Sequence, residues 1–280
     1  MRIKILSDST CDLSRNLVED NNITIVPLTV VKGDEQFKDG VTITPAEIFA
    51  HVAAGGDLCS TAANSVGEYE EQVAKFSAEY DGVLQICLGS GFSSCYQNAC
   101  IAAQDFDNVK VVDSQSLSTG QGLVVLEACR LAKECDTLEQ LHAQVQAFTE
   151  KVEASFLVDK LTYLAKGGRC SAVAALGANL LNLKPCIDVK DGKMGVSKKY
   201  RGKYDKCLAS YVKERLADRD DIRGDVLFVT QTSVSEDEYA AVMAAVQEHG
   251  KFDTVYEAVA GCTVSCHCGP GTLGVLFVRK

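Results

Sequence analysis

The stretch "GVLQICLGSGFSSCYQNA", residues 82–99, contains an apolar run, a polar turn and the beginning of a helical pattern. Residues 82–89 are apolar except for Gln85 and are bounded by glycines, which is typical of a strand. The helical pattern covers 92–104. A strand followed by a helix is the repeating unit of an α/β protein with a parallel sheet.

Similar units occur on both sides of this stretch. Residues 3–9 and 108–114 are predicted as strands, and capping boxes at Thr44–Glu47 and Ser65–Glu68 predict helix starts. The strands end in small polar residues at 7–9, 89–91 and 113–114. Since ligands of parallel sheets bind outside the carboxyl ends of the strands, these three segments indicate one shared crevice.

The second half of the chain has a different pattern. Asp191-Gly192 lies between two strand-like runs and predicts a hairpin, so this sheet is expected to be mixed. Helices are predicted at 203–217 and 235–249, a nearly polar-free helix at 171–184, and a final strand near 271–280. We therefore predict two α/β domains, 1–153 with a parallel sheet and 154–280 with a mixed sheet.

Composition narrows the function classes. The chain has 280 residues and a net charge of −10, which disfavours nucleic acid as a partner. The N-terminal apolar run is broken by Lys4 and is too short for a signal peptide, so a cytoplasmic location is expected. The chain contains 13 cysteines, an uneven count that cannot all pair, and it is long enough to bury a full hydrophobic core. We expect most of them to be small buried hydrophobes and not a disulfide framework.

The serines of the 88–94 turn allow two kinds of chemistry. A serine hydrolase presents its nucleophile in a G-x-S-x-G elbow, whereas Ser90 has glycines directly before and after it, so the pattern fails. Ser93 and Ser94 stand at the predicted helix start, where free N–H groups and the helix dipole stabilise an anion. Plain capping of the helix by Ser90 or Ser93 is the alternative.

Two further segments carry polar groups toward the predicted crevice. In the loop 59–65, Ser65 caps a helix and leaves Ser60 and Thr61 free to point into the crevice. In 266–274, His267 lies in a predicted glycine-rich loop and could hydrogen-bond a carboxylate or phosphate. A zinc site at Cys262, Cys266, His267 and Cys268 is the alternative, but adjacent ligands do not easily converge on one tetrahedral ion, and a C-x-x-C pair is absent from the sequence.

Six short motifs occur in order along the chain: "SDSTCDL" (7–13), "STAANS" (60–65), "SGFSSCYQNA" (90–99), "VVDSQSLSTGQG" (111–122), "LTYLAKGGR" (161–169) and "HCGPGTLG" (267–274). Taken together, they resemble the DegV family of bacterial fatty-acid-binding proteins. Each motif is loose alone, but their order over essentially the full length makes the resemblance specific. The chain departs from the family pattern at Cys59, at 62–64 and at Ser94-Cys95.

The resemblance implies that one long-chain fatty acid binds between the two domains. Its carboxylate would be held by Thr61, Ser93 and Ser94 with His267 nearby, and its acyl chain would run into a tunnel formed by the C-terminal domain. The apolar segment 171–184 is a candidate tunnel wall. The resemblance implies no metal and no cofactor beyond this ligand.

The resemblance also implies a partner and a non-catalytic role. The chain would present the fatty acid to a separate ATP-dependent kinase resembling dihydroxyacetone kinase, which forms an acyl phosphate for phospholipid synthesis. In agreement, the sequence contains no G-x-x-x-x-G-K-[ST] phosphate loop. Arg169 and Arg201 are the candidates for docking the kinase near the mouth of the site, and a transient membrane contact fits this role.

Two other functions remain open at this point. The chain could be a lipid-responsive regulator without a kinase partner. It could also be a hydrolase or acyltransferase using Ser93 with His267, which the failed elbow pattern disfavours.

Overall fold

The computed structural model describes residues 1–170 and 183–280, and its strands form three sheets. The predicted apolar helix and tunnel wall at 171–184 lies outside the described residues except for Leu183 and Lys184, which begin a strand. In chain order the strands are β1 (Ile3–Asp8), β2 (Thr24–Val26), β3 (Thr29–Lys32), β4 (Glu35–Lys38), β5 (Ser60–Ala62), β6 (Gly82–Cys87), β7 (Val109–Asp113), β8 (Val152–Leu157), β9 (Leu183–Lys190), β10 (Lys193–Arg201), β11 (Ile222–Gln231), β12 (Thr254–Val259) and β13 (Leu273–Arg279).

The described helices follow the capping signals of the sequence. Thr44 and Ser65 each form the predicted capping box, accepting a hydrogen bond from the backbone of the glutamate three residues later. In chain order the helices are α1 (Arg15–Asp20), α2 (Pro45–Ala53), α3 (Val66–Glu79), α4 (Cys95–Ala102), α5 (Thr119–Leu131), α6 (Leu138–Phe148), α7 (Thr162–Gly167), α8 (Tyr204–Leu216), α9 (Glu236–His249) and α10 (Cys262–Cys268).

The first sheet has the order β2-β1-β6-β7, and its strand pairs are all parallel. The carboxyl ends of β1, β6 and β7 therefore meet at one edge, as the polar strand ends predicted. There, Asp8 Oδ2 accepts a hydrogen bond from the Leu88 amide at 2.8 Å, and Ser90 Oγ donates to Asp113 Oδ2 at 2.5 Å. The Ser90 hydroxyl hydrogen is thus taken up by Asp113, and Ser90 has a structural role in the turn.

The second sheet has the order β10-β9-β8-β13-β11-β12 and is mixed, because β12 runs parallel to β11 and the other pairs are antiparallel. The predicted hairpin is confirmed. Asp191 and Gly192 join β9 to β10 with φ of 51° and 67°, the left-handed backbone that a two-residue hairpin turn requires. The boundary proposed after residue 153 falls one residue beyond the start of β8, and the division into two domains stays a prediction.

Helix α5 packs between the first two sheets. Eleven of its 13 residues are buried, so it is enclosed by protein on nearly every side. Its core cluster includes Leu84 and Ile86 from the first sheet together with Ala154 and Leu276 from the second. Burial of each large aliphatic side chain stabilises the fold by about 1.5–3 kcal/mol, so this shared helix couples the two sheets.

A small antiparallel sheet of order β4-β3-β5 is the part of the fold that sequence patterns did not anticipate. The apolar run 23–31 is interrupted at Pro27, which has no N–H to donate, and β2 and β3 consequently belong to different sheets. Residues 60–62, predicted as part of a loop, form β5 instead. In β5, Thr61 pairs with Val30.

Two observations concern the surface and the cysteines. Across the described parts of the chain, the helices lack the combination of length and apolar character that a membrane span needs. All 13 cysteines are described and are free thiols, and only Cys100 is partly exposed. The prediction that most of them are buried is confirmed.

Candidate functional site

A cavity of about 60 Å³ lies where the small sheet, the turn after β6 and helix α10 meet. Its lining combines polar and apolar side chains, which is the character expected of a site for an amphipathic ligand. The polar side chains that line it are Thr10, Thr61, Ser93, Arg169, Thr263 and His267, and the apolar ones are Leu28, Ala63, Leu88, Phe92, Leu117, Leu164, Met194, Val264 and Cys268.

The Thr61 hydroxyl is positioned by two sets of contacts. Its backbone is fixed in β5 by pairing with Val30 of β3. Its Oγ1 lies 2.8 Å from Nε2 of His267, on α10. This hydrogen bond joins residues 206 positions apart in the chain, which neither local sequence pattern could reveal.

The prediction that His267 lies in a glycine-rich loop is wrong. His267 is the penultimate residue of helix α10, and the glycine-rich segment 269–271 follows the helix. The ring is largely removed from water, and this desolvation lowers the pKa of His267 to about 4, with the positive charge of Arg169 lowering it further. The imidazole is therefore neutral at neutral pH and does not act as a cation there.

A neutral imidazole carries one N–H, so its tautomer decides what Thr61 can do. Nδ1 is buried beside Gly167 and has no hydrogen-bond partner among residues 1–170 and 183–280. If the proton is on Nε2, His267 donates to Thr61 Oγ1, and the threonine hydroxyl hydrogen is free for a ligand. The opposite tautomer would take up that hydrogen and present only lone pairs to an anion.

Ser93 lies in the turn just before α4. The helix begins at Cys95 and not at 92, so Ser93 precedes it. The Ser93 Oγ accepts from the Cys95 amide at 3.3 Å and donates to the Cys95 thiol at 3.1 Å. Sulfur is a weak acceptor, so a carboxylate oxygen in the cavity would compete effectively for this hydroxyl hydrogen.

Two of the other predicted site residues have different positions. Ser94 is exposed and is outside the cavity lining, so the structure does not bring it to Thr61 and Ser93. Arg169 does line the cavity while remaining exposed, and its guanidinium donates to the Gly167 carbonyl at 2.8 Å.

Arg201 does not line the cavity. It is exposed and ends β10, whereas Met194 near the start of β10 reaches the cavity. Seven residues at about 3.3 Å each separate Arg201 from Met194 by roughly 23 Å along the strand. Its placement near the mouth stays a prediction.

The β9–β10 hairpin contributes to the site through a close backbone approach that we did not predict. A Cβ added to Gly91 would lie 2.0 Å from the Gly192 carbonyl oxygen, so the hairpin tip rests directly on the serine-containing turn. Met194, near the start of β10 in the same hairpin, lines the cavity. The G-x-G pattern around Ser90 was a signal of such close packing.

A second cavity of about 30 Å³ adjoins the first and is almost entirely apolar. The two share Leu117, Val264 and Cys268 as lining residues. The second cavity extends between the segment just before α5, at Leu117 and Ser118, and the mixed sheet, where Ala154 and Leu276 contribute to its wall. The two cavities therefore mark a path from the polar group of side chains into the apolar interior.

The cysteines around His267 do not form a metal centre in the described part of the chain, since no cluster of His, Cys, Asp and Glu side chains there could hold an ion. Burial raises the pKa of the Cys262 and Cys268 thiols to about 12, which opposes the thiolate form that zinc binds. Cys262 donates instead to the Ile43 carbonyl at 3.2 Å.

Comparison with known proteins places this site in a family context. A family model described as an uncharacterised protein of the DegV family matches residues 2–280. The chain belongs to the DegV family. A DegV domain-containing protein of Caldanaerobacter subterraneus is 30% identical over 283 residues, covering 100% of this chain and 99% of the relative.

Solved DegV structures agree with the fold. A DegV family protein from Thermus thermophilus, described by its fatty acid binding, has a TM-score of 0.90 and 28% identity, with 100% of each chain covered. A stearic-acid-binding protein from Eubacterium ventriosum has a TM-score of 0.84 and 27% identity, covering 99% of this chain and 98% of its own. Both descriptions name fatty acid binding, and the TM-scores show that both proteins share the α/β fold of this chain.

Proposed function

We propose that this DegV protein binds one long-chain fatty acid and holds its carboxylate at Thr61, Ser93 and His267. The observation that carries the proposal is the joining of this polar group to an apolar path that leads into the protein. The fatty-acid binding of two DegV neighbours, at 27–28% identity over nearly the full chains, supports the same ligand class.

The polar side chains of the first cavity suit a carboxylate. Thr61 and Ser93 each offer a hydroxyl, and Arg169 places a permanent positive charge on the same cavity. A buried carboxylate without partners is very costly, so these groups chiefly remove a penalty and fix the orientation of the headgroup. A hydrogen bond to a charged group adds about 1.5–3 kcal/mol.

The apolar path suits the acyl chain. Each buried methylene contributes about 0.8 kcal/mol, so ~14 methylenes contribute roughly 11 kcal/mol before ordering costs. The first cavity, about 60 Å³, is smaller than the ~150 Å³ that accommodates one benzene molecule. We therefore infer that side chains at the junction, such as Leu117 and Val264, move when the acyl chain enters.

The geometry gives less support to a serine hydrolase. His267 Nε2 is 2.8 Å from Thr61 Oγ1, while the Ser93 hydroxyl points to the thiol of Cys95. In the described residues, Nδ1 of His267 also has no carboxylate to orient it. A nucleophile, its base and an orienting acid are therefore not linked as such catalysis requires.

We further propose that the bound carboxylate is presented to a separate ATP-dependent kinase resembling dihydroxyacetone kinase. In that reaction a carboxylate oxygen attacks the γ-phosphorus of ATP, giving an acyl phosphate and ADP. Arg169 supports this proposal because it lines the cavity and is also exposed at the protein surface, where a partner could contact it. A lipid-responsive regulator without a kinase uses the same pocket and is the second candidate.

A matched pair of ligands tests the binding proposal. Delipidated protein is titrated with a fatty acid and with its methyl ester, which has the same chain but no carboxylate. We expect tight binding of the acid, much weaker binding of the ester, and an unchanged ester after incubation. Equal affinity for both would contradict the headgroup assignment, and release of methanol from the ester would favour the hydrolase.

A further inference from the structure

Helix α10, which carries His267, is held at its N-terminus by a carboxylate from a distant part of the chain. Asp39 Oδ1 accepts from the Cys262 amide at 2.8 Å. Asp39 Oδ2 accepts from the Thr263 amide at 3.2 Å and from the Thr263 hydroxyl at 2.7 Å. Asp39 thus caps the helix from 223 residues away.

Asp39 is in turn fixed to the small sheet. It follows β4 directly, its amide donates to the Leu28 carbonyl at 2.9 Å, and Ser9 Oγ donates to its Oδ2 at 2.9 Å. The same Ser9 oxygen accepts from the Leu28 amide at 3.1 Å. The carboxylate is buried and receives four hydrogen bonds in all, which satisfies its acceptor sites without a cation.

A second buried carboxylate holds the residue before the helix. Asp12 Oδ1 accepts from the Gly261 amide at 2.9 Å, and Asp12 Oδ2 accepts from Ser118 Oγ at 2.5 Å. Ser118 has φ 52° and ψ −145°, a backbone conformation that is costly for any residue with a side chain. Such strain persists only where surrounding contacts impose it, and here the hydroxyl bond to Asp12 is one of those contacts.

We call the hydrogen bonds from Asp39 and Asp12 to residues 261–263 the clamp. Its Asp39 part and the ligand site connect the same two elements. The small sheet bears Asp39 after β4 and Thr61 on β5, and α10 bears Thr263 and His267. Thr263 and His267 are four residues apart, so they lie on one face of the helix, and both line the cavity. A seven-residue helix is too short to hold its position by itself, so contacts at both of its ends determine where His267 lies.

We infer that Asp39 and Asp12 are positioning residues that set the Thr61–His267 hydrogen bond, and through it the donor that Thr61 offers to the ligand. This inference rests on the proposed function for its binding consequence. Its structural part, the placement of the His267 ring, does not depend on any ligand. The "SDSTCDL" motif (7–13) thereby gains a role, since Ser9 and Asp12 both serve the clamp.

The first test is Asp39→Asn with Glu127→Gln as the matched control. An asparagine amide nitrogen cannot accept a hydrogen bond, so some of the four donors around Asp39 lose their acceptor. Glu127 is likewise buried, but it accepts from Arg130 and Arg223, away from the cavity. Both variants remove one buried carboxylate charge, whereas only the first should disturb α10.

Two readouts separate positioning from general stability. The ¹⁵N shifts of the His267 ring in the delipidated protein report its tautomer and hydrogen bond, and we expect Asp39→Asn alone to change them. Fatty-acid affinity should fall about tenfold in Asp39→Asn, equivalent to ~1.4 kcal/mol, and stay within twofold of wild type in Glu127→Gln. If wild type binds no fatty acid, the proposed function fails, while the ring shifts still decide the clamp.

Ser118→Gly keeps the test valid if Asp39→Asn does not fold. Glycine suits the dihedrals of residue 118, so this variant should fold while losing the donor to Asp12. Because Ser118 also lines the second cavity, affinity is measured for 14- and 18-carbon acids. A change at the carboxylate site lowers the affinity for both acids by the same factor. Wild-type ring shifts and affinity in a folded Asp39→Asn or Ser118→Gly protein would overturn the inference, as would a loss confined to one chain length.

Discussion

At the scale of single residues, Thr61 and Ser93 differ from their hydroxyl neighbours in being directed at a cavity. Ser90 is occupied by Asp113, Ser65 caps α3, and Ser94 is exposed. The hydroxyl of Thr61 is oriented by a neutral imidazole, and that of Ser93 by a thiol that accepts only weakly. Both can thus redirect a hydrogen to a carboxylate.

Alanine substitutions test these two hydroxyls. Thr61→Ala and Ser93→Ala should each weaken fatty-acid binding roughly tenfold to a hundredfold, the loss of one hydrogen bond to a charged group. Isothermal titration with delipidated protein measures the effect. Ser94→Ala is the matched control in the same turn and should bind like wild type. If it weakens binding as strongly as Ser93→Ala, our placement of Ser94 outside the site is incorrect.

The charge state of His267 is a separate residue-scale prediction. Because burial lowers its pKa to about 4, the ring should remain neutral from pH 8 down to pH 5.5. In the unfolded chain the imidazole titrates near 6.5, so the unfolded state binds the proton first. His267 therefore lowers the free energy of unfolding as pH falls from about 6.5 to 4, and has no such effect above this window.

An NMR titration of the four histidines checks this directly. We expect the His267 ring shifts of ligand-free protein to stay constant between pH 5.5 and 8, and His267→Gln to remove one set of signals and identify it. A midpoint near 6.5 for His267 would show a charged ring at the site. The carboxylate would then be held by an ion pair and not by neutral donors.

At the scale of elements, the site is formed by three short pieces that pack from distant parts of the chain. Strand β5 has three residues, helix α10 has seven, and the β9–β10 hairpin turn has two. Each is held by contacts with another element: β5 by β3, α10 by Asp39, and the hairpin tip by the turn at Gly91.

The hairpin contact yields an element-scale prediction. Gly91→Ala would place a methyl group 2.0 Å from the Gly192 carbonyl oxygen, so the hairpin must shift and move Met194 out of the cavity wall. We expect faster fatty-acid dissociation, measured by displacement of a fluorescent fatty acid. Gly195→Ala is the control within the same hairpin, because a Cβ there meets no atom within 4 Å. Equal dissociation rates for both variants would contradict a role for the hairpin in enclosing the ligand.

Element by element, the sequence was informative where structure is local. The parallel sheet, the capped helices and the Asp191-Gly192 hairpin follow from periodicity, caps and turn chemistry, and they were predicted. β5 and α10 were not, since three or seven residues carry no period. Their conformations depend on hydrogen bonds to β3 and Asp39, which are far away in the chain. Local sequence patterns together with the family resemblance pointed to Thr61, Ser93 and His267, while Asp12 and Asp39 had no signal that pointed to α10.

At the scale of the whole molecule, one helix couples the two large sheets and one cavity system lies beside it. Because the net charge is −10, an exposed arginine is a candidate for contacting a partner. Arg169 belongs to the cavity, whereas Arg201 stands at the end of the edge strand β10. The two arginines should therefore differ in what they do.

Arg201→Ala should retain the fatty acid and lower acyl phosphate formation with the proposed partner kinase, because an exposed cation acts mainly on encounter with a partner. The difference from wild type should shrink at high salt, where exposed charges are screened. Lys193→Ala, at the hairpin end of the same strand, is the matched control and should leave turnover unchanged. A loss of bound fatty acid in Arg201→Ala would instead place this residue in the pocket, and unchanged turnover would favour the regulatory alternative.

The central claim is that this protein holds one long-chain fatty acid by its carboxylate, and native mass spectrometry of the protein purified from bacteria tests it most directly. We predict a mass increment equal to one long-chain fatty acid, released by organic extraction at about one molecule per chain and diminished in Thr61→Ala. Protein that carries no such adduct, and that still takes up no fatty acid after delipidation and titration, would contradict the account.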